Sequence, residues 1–322
     1  MKTELQKIGE DSKQIWAAFM DTVRPFREDL WNYCRKITGS PWEAEDLLQD
    51  TLLKTFGSLS AISHRGQPLQ AKSYLFRVAT NHWIDQCRKR RVPIDSLDEA
   101  TSIEPSSVED QTRPVIVNEA IELLVRQLPA KQVVVLILME SYHFTAPEIA
   151  SLLATTENAV HATLRRARSN IRKLRDCDFI VGTESDEEES TIHKEVVQRF
   201  IDLYNKYDFR GLASLIDDHA VYSFVAMSSK EYGKSVITKA SLNPDRERRT
   251  DIKAMPAILW GRAVLLFTII DESGNVKALF DINSLEVQDG KIVYWSCYYF
   301  CREFMNAAAD ELGLPLEPVI WS

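Results

Sequence analysis

Cysteine is scarce in this chain and scattered where it occurs. Among 322 residues, Cys34, Cys87, Cys177, Cys297 and Cys301 form no Cys-x-x-Cys pair. That argues against both a disulfide scaffold and a zinc site. Long apolar runs are missing too: the longest, Val133 to Met139, is far short of the roughly 18 residues that cross a bilayer. The opening Met1-Lys2-Thr3-Glu4-Leu5-Gln6-Lys7 leads into no apolar segment of a secretory signal. A soluble cytoplasmic protein without membrane contact, metal or cofactor is expected.

With 45% apolar residues the chain can bury cores, and its length suits two or three small domains. The net charge of -8 is unevenly distributed. Residues 1–180 carry 24 basic and 24 acidic side chains, whereas residues 181–322 carry 15 and 23, so the whole deficit lies in the carboxy-terminal part. The neutral part is itself segregated. Glu43, Glu45, Asp46 and Asp50 cluster without a base, and Arg165, Arg166, Arg168, Arg172, Lys173 and Arg175 cluster without an acid. An acidic face and a basic face predict two different partners.

Composition divides the chain into a helical domain 1–92, a polar linker 93–114, a second helical domain 115–176, an acidic linker 177–190 and a third domain 191–322. The first two read as all-α. The third reads as α+β: a helical pattern through Val196, Phe200, Leu203, Tyr204 and Tyr207 gives way to strand-like runs. Those runs are Val221–Val225, Ile258–Ile270, Ala278–Val287 and Ile292–Phe300, and they predict an antiparallel meander. Turns are expected at Ser273-Gly274-Asn275 and Asp289-Gly290.

Ser40-Pro41-Trp42-Glu43 predicts a capped helix start. On that helix Ala44, Leu47, Leu48 and Thr51 can point inward, and Asp46, Gln49, Asp50 and Leu53 share the other face. Charge alone fits a solvated face; Leu53 among the acids favours docking. The next helix, about Ala71 to Arg91, sets Asn81, Asp85 and Arg88 in a polar row and ends in Arg88-Lys89-Arg90-Arg91, with His82 and Trp83 just before. Aromatics beside cations suit melting DNA, though Trp83 also fits a core and the bases also suit a helix terminus.

Asp46-Leu47-Leu48-Gln49-Asp50-Thr51, followed by Tyr74-Leu75-Phe76-Arg77-Val78-Ala79-Thr80-Asn81 and then Asp85 and Arg88, resembles region 2 of the bacterial extracytoplasmic-function (ECF) sigma factors. The resemblance implies that the face of Asp46, Gln49, Asp50 and Leu53 docks on the β′ clamp helices of core RNA polymerase. It also implies that the helix carrying Asn81, His82, Trp83, Asp85, Arg88, Lys89, Arg90 and Arg91 opens the −10 promoter element.

Thr145-Ala146-Pro147-Glu148 predicts a second capping box. It opens a short helix, a break at Ala154-Thr155-Thr156, and a longer helix whose inward stripe is Val160, Leu164, Ala167, Ile171 and Leu174. Asn158, His161, Ala162, Arg165, Arg166 and Ser169 lie on its other side. This is a helix-turn-helix pattern, whose second helix fits the major groove. Leu128-Pro129, Gln132, Glu148-Ile149-Ala150 and Leu164-Arg165-Arg166-Ala167-Arg168 resemble ECF region 4, which implies −35 recognition and contact with the β flap. Glu140-Ser141-Tyr142-His143-Phe144 departs from the family's usual glycine-containing turn.

The third domain resembles SnoaL-like polyketide cyclases. The resemblance rests on Asn205, Asp208, Gly233-Lys234-Ser235 and Asp281-Ile282-Asn283-Ser284-Leu285-Glu286-Val287, and it implies a cone-shaped barrel. As an extension behind region 4 it would act as an intramolecular regulator, with a small-molecule ligand as one option. Asp217, Asp218, His219 and Asp281 are the candidate acid/base groups, but Asp217-Asp218-His219 reads as a helix-to-strand turn, and no catalysis is expected. Cys297 and Cys301 read as buried thiols. The alternative to a sigma factor is a helix-turn-helix regulator with a ligand-sensing or enzymatic carboxy-terminal domain.

Overall fold

The computed structural model describes residues 4–59, 71–90, 127–175, 189–227 and 229–317. Linker 93–114 and Arg91 lie outside the described residues, as does most of the acidic linker. The chain divides into two compact units, Met1–Phe179 and Ile180–Ser322.

The first unit opens with α1 (Glu4–Thr38), α2 (Pro41–Gly57) and α3 (Ala71–Arg90). The Ser40 side chain accepts from Glu43 N at 3.5 Å, and Pro41 takes the first turn, where its missing N–H costs nothing. Leu30, Tyr33 and Ile37 of α1, Leu47, Leu48 and Leu52 of α2, and Leu75, Phe76 and Ala79 of α3 are all within 1% of full burial.

Three further helices follow: α4 (Ala130–Glu140), α5 (Ala146–Leu152) and α6 (Glu157–Arg175). Glu148 Oε2 accepts from Thr145 N and Thr145 Oγ1, both at 2.7 Å, which closes the box at the start of α5. Ala154 turns the chain with φ at 50°, and Thr156 Oγ1 accepts from Ala159 N at 3.2 Å to start α6. Val133, Val134 and Leu138 of α4 and Ile149 of α5 bury against Val160, Leu164 and Ala167 of α6.

In the second unit α7 (Glu189–Asn205), α8 (Phe209–Leu215) and α9 (Lys234–Lys239) accompany a six-stranded sheet; α7 begins inside the segment assigned to the acidic linker. Its strands are β1 (Ile216–Phe224), β2 (Ser229–Tyr232), β3 (Ile252–Leu259), β4 (Arg262–Ile270), β5 (Val276–Gln288) and β6 (Lys291–Cys297), in the order β2-β1-β6-β5-β4-β3. Helix α10 (Arg302–Leu312) follows, with Phe304 against Trp260 and Tyr298.

Three expectations are corrected here. The run Ile258–Ile270 is two strands, because Trp260 (φ 46°) and Gly261 (φ 73°) form a left-handed two-residue hairpin turn. The sheet is mixed: β3 to β6 form the antiparallel meander, but β1 pairs with β6 in parallel. Asp217-Asp218-His219 belongs to β1, where an irregularity between Ile216 and Val221 accommodates it. Asn205 ties α7 to β3, donating to Ala254 O at 2.9 Å and accepting from Ala254 N at 2.8 Å. Asp208 caps α8 through Gly211 N at 2.7 Å.

Candidate functional site

Helix α2 presents its acidic residues unevenly. Asp46 is exposed, Leu53 is 43% exposed, and Asp50 is half-buried. Gln49, expected beside them, is only 7% exposed. The reason is Glu45, which is fully buried one turn earlier. Its carboxylate accepts from Trp31 Nε1 at 2.9 Å and from Gln49 Nε2 at 2.6 Å, with the Arg27 guanidinium 3.9 Å away. A buried carboxylate needs such donors, and Gln49 is drawn inward to supply one. Gln49 Oε1 is left buried with no partner among the described residues. The Gln49 residue lines a cleft of about 340 Å³ together with Glu43, Asp46, Asp50, Gln86 and Arg90.

Helix α3 forms the other wall. Asn81, Asp85, Arg88, Lys89 and Arg90 are exposed, whereas Trp83 is 3% exposed and belongs to the core. It is therefore no stacking platform; its ring instead carries the Arg90 guanidinium at 5.7 Å. Arg90 Nη1 also reaches Glu43 Oε1 at 2.9 Å, and Arg88 Nη1 reaches Asp85 Oδ1 at 3.1 Å. The half-buried His82 has Nε2 2.8 Å from Asp50 Oδ2 and 3.0 Å from Gln86 Nε2, while Lys54 contacts its Nδ1. Sequence spacing could not show the cross-helix pairs, and so missed the parts played by Glu43 and Lys54; Gln86 lies one turn after His82 on the same helix.

The open side of α6 is simpler. Asn158, His161, Arg165, Arg166 and Ser169 are exposed and Ala162 is half-buried. Arg165 and Arg166 make no ion pair among the described residues, but Arg168 pairs with Glu140 at 2.5 Å. Asn170 Nδ2 donates to Gln132 Oε1 at 3.0 Å, which ties α6 to α4. Two guanidinium groups without an ion pair among the described residues, midway along an exposed helix face, suit phosphates and base edges.

The second unit holds a buried polar cluster. Asp281 accepts from Ile282 N at 2.7 Å, Asn283 Nδ2 at 2.6 Å and Cys297 Sγ at 3.4 Å. Asn283 Oδ1 in turn accepts from Trp295 Nε1 at 2.5 Å. Burial pushes the Asp281 carboxyl up to about 7, against the donors that lower it. The fold itself uses both carboxylate oxygens, and Asn283, Trp295 and Cys297 are at most 5% exposed. Asp217, Asp218 and His219 are not part of this cluster; Asp218 and His219 are exposed and Asp217 half-buried. Cys297 and Cys301 are buried and form no disulfide among the described residues.

Among the described residues no helix is long and apolar enough to cross a membrane. Residues 22–92 match the family model for Sigma-70 region 2, and residues 118–171 match that for Sigma-70, region 4. The chain is 25% identical over 231 residues to the ECF RNA polymerase sigma factor SigG of Mycobacterium tuberculosis; the match covers 63% of this chain and 60% of SigG's length. It is 31% identical over 153 residues to SigL of the same organism, covering 45% of this chain and 80% of SigL. A crystal structure of the M. tuberculosis extracytoplasmic function sigma factor SigJ matches 86% of this chain and 95% of its own, at 17% identity and a TM-score of 0.31. The region 2 and region 4 matches fall in order on the two helical stretches, and the SigL match covers most of that protein: the chain belongs to the ECF family of RNA polymerase sigma factors.

Proposed function

We propose that the chain directs core RNA polymerase to promoters and opens them, without covalent chemistry of its own. The observation that carries this reading is the cleft between α2 and α3. Glu43, Asp46 and Asp50 line it beside Gln49, and the donors in the same lining, Arg90 and Gln86, already reach Glu43 and His82. A basic or amide side chain of a docked protein would pair with these carboxylates. The clamp helices of the β′ subunit are assigned to this cleft and the β flap to residues 115–176.

The exposed Asn81, Arg88 and Lys89 of α3 are assigned to the −10 element, and Asn158, His161, Arg165 and Arg166 of α6 to the −35 element. Phosphate contacts and capture of unstacked bases would drive strand opening. Residues 191–322 are assigned a regulatory role in cis, as a tethered partner at high effective concentration. The saturated surroundings of Asp281 favour that role over catalysis. A stand-alone helix-turn-helix regulator would use the α6 face but has no need of the α2 cleft.

Run-off transcription with purified core polymerase on genomic promoter fragments tests the reading. The full chain and one ending before residue 183 should both yield specific transcripts, in different amounts. Absence of any core-dependent transcript would overturn the sigma assignment, and equal amounts would overturn regulation by the extension.

A further inference from the structure

Two aromatic residues in the loop between α4 and α5 reach across from the second helical stretch to the first. The Tyr142 ring stands edge-on to Tyr33 at 5.5 Å and to Phe76 at 5.7 Å. Phe144 stacks on Phe76 at 6.0 Å with the planes 26° apart. The Lys36 ammonium lies 5.0 Å from the centre of the Tyr142 ring. Tyr33 and Phe76, themselves stacked at 4.8 Å, are fully buried. Both edge-on pairs and the ammonium follow the geometry that a ring quadrupole favours.

Between the two rings His143 holds φ at 54°, a left-handed conformation that a side chain bearing a Cβ resists. Such a residue persists where its neighbours over-determine it. Here they do: Phe144 N donates to Leu138 O at 3.0 Å, and the flanking rings are seated on α1 and α3. The twist at His143 brings both Tyr142 and Phe144 onto Phe76.

This contact limits the distance between the two DNA-reading helices. Phe76 precedes Asn81 on α3 by about 7 Å. From Phe144 the chain runs through the seven residues of α5 to α6. Even with the connection fully stretched, Asn158 lies within about 55 Å of Asn81. Promoter elements at −10 and −35 are separated by about 25 base pairs, or about 85 Å of duplex.

We propose that Tyr142, His143 and Phe144 form an internal docking loop that seats on Tyr33 and Phe76 and keeps the chain in a closed state unable to bridge both promoter elements. The docking stands on geometry alone; its consequence for transcription rests on the function proposed above. Its occupant is region 2 of the same chain, and opening exposes Tyr33 and Phe76.

The test uses the full chain with a donor–acceptor pair at the exposed positions Arg77 and Ser151. The double variant Tyr142→Ser/Phe144→Ser should lose at least half of the energy transfer with its circular dichroism unchanged, and Tyr142→Phe should keep it. With core polymerase the double variant should yield at least twofold more run-off transcript. A chain with p-benzoylphenylalanine in place of Tyr142 should crosslink to the peptide carrying Phe76, which decides the docking even where the double variant unfolds. Unchanged transfer in a folded double variant, or no crosslink, overturns the docking loop. A widened chain that transcribes no better overturns the inhibitory consequence. If no form binds core polymerase, the proposed function has failed, while transfer and crosslinking still decide the docking.

Discussion

His82 Nε2 lies 2.8 Å from Asp50 Oδ2, so a residue assigned to promoter DNA and a residue assigned to polymerase share one hydrogen bond. Arg90 and Glu43 repeat the relationship at 2.9 Å along the same cleft. Partly exposed pairs of this kind contribute only about 0–1 kcal/mol to stability. Their effect is positional: any partner that takes the carboxylates leaves His82 to Gln86 and Lys54, and Arg90 to the Trp83 ring.

Asp50→Ala should therefore act at both surfaces. Its carboxylate is exposed enough to meet a partner and lines the same cleft as Gln49. Loss of one such charge pair across an interface should raise the Kd for core polymerase about tenfold, with the helical content unchanged. Fluorescence anisotropy of labelled chain titrated with core polymerase measures it. A Kd within twofold of wild type would remove Asp50 from the interface.

Arg165 and Arg168 should behave differently although they lie one turn apart. Arg165 has no ion pair among the described residues, and Arg168 is held by Glu140. Arg165→Ala should lower the slope of log K against log salt for duplex DNA by about 0.9, the value of one neutralised phosphate. Arg168→Ala should leave the slope near wild type. Equal changes would mean that the Glu140 pair opens on binding.

Asp281 should make the second unit less stable as pH rises. Its carboxyl is raised from 3.8 to about 7, chiefly by burial. Between those values the folded chain binds a proton that the unfolded chain has released, so stability falls as pH climbs through that window. The full difference is on the order of 4 kcal/mol. Glu231, raised by burial, adds the same sign; Asp251 and Asp271, lowered by their hydrogen bonds, act with the opposite sign but only at more acid pH, outside this window. Urea unfolding of the full chain at pH 5 and pH 8 should show the decline, and Asp281→Asn should flatten it. A slope identical in the variant would assign the pH dependence elsewhere.

Local chemistry was legible in the sequence. The starts of α2 and α5 follow from Ser40, Pro41, Thr145 and Glu148, and the inward stripe of α6 follows from the spacing of Val160, Leu164 and Ala167. Features that depend on distant residues were not legible. Gln49 turns inward for a carboxylate whose other donor, Trp31, sits on α1. Trp260-Gly261 hides a hairpin inside an apolar run because a tryptophan, rather than an asparagine, takes the left-handed position. The β1–β6 pairing joins segments some seventy residues apart, and no local pattern announces it. The cross-helix contacts of His82 and Arg90 have the same origin, since helical spacing orders residues on one helix only.

The position of β1 beside β6 also sets a schedule for synthesis. An interior strand of the sheet is made first, and its parallel neighbour is the last strand to leave the ribosome. The sheet cannot close until about 120 residues beyond α6 have been translated, on the order of 6–24 s at ordinary elongation rates. Each newborn copy thus completes the described helices α1 to α6 well before its tail can take shape, and for those seconds it is a sigma module without a finished extension.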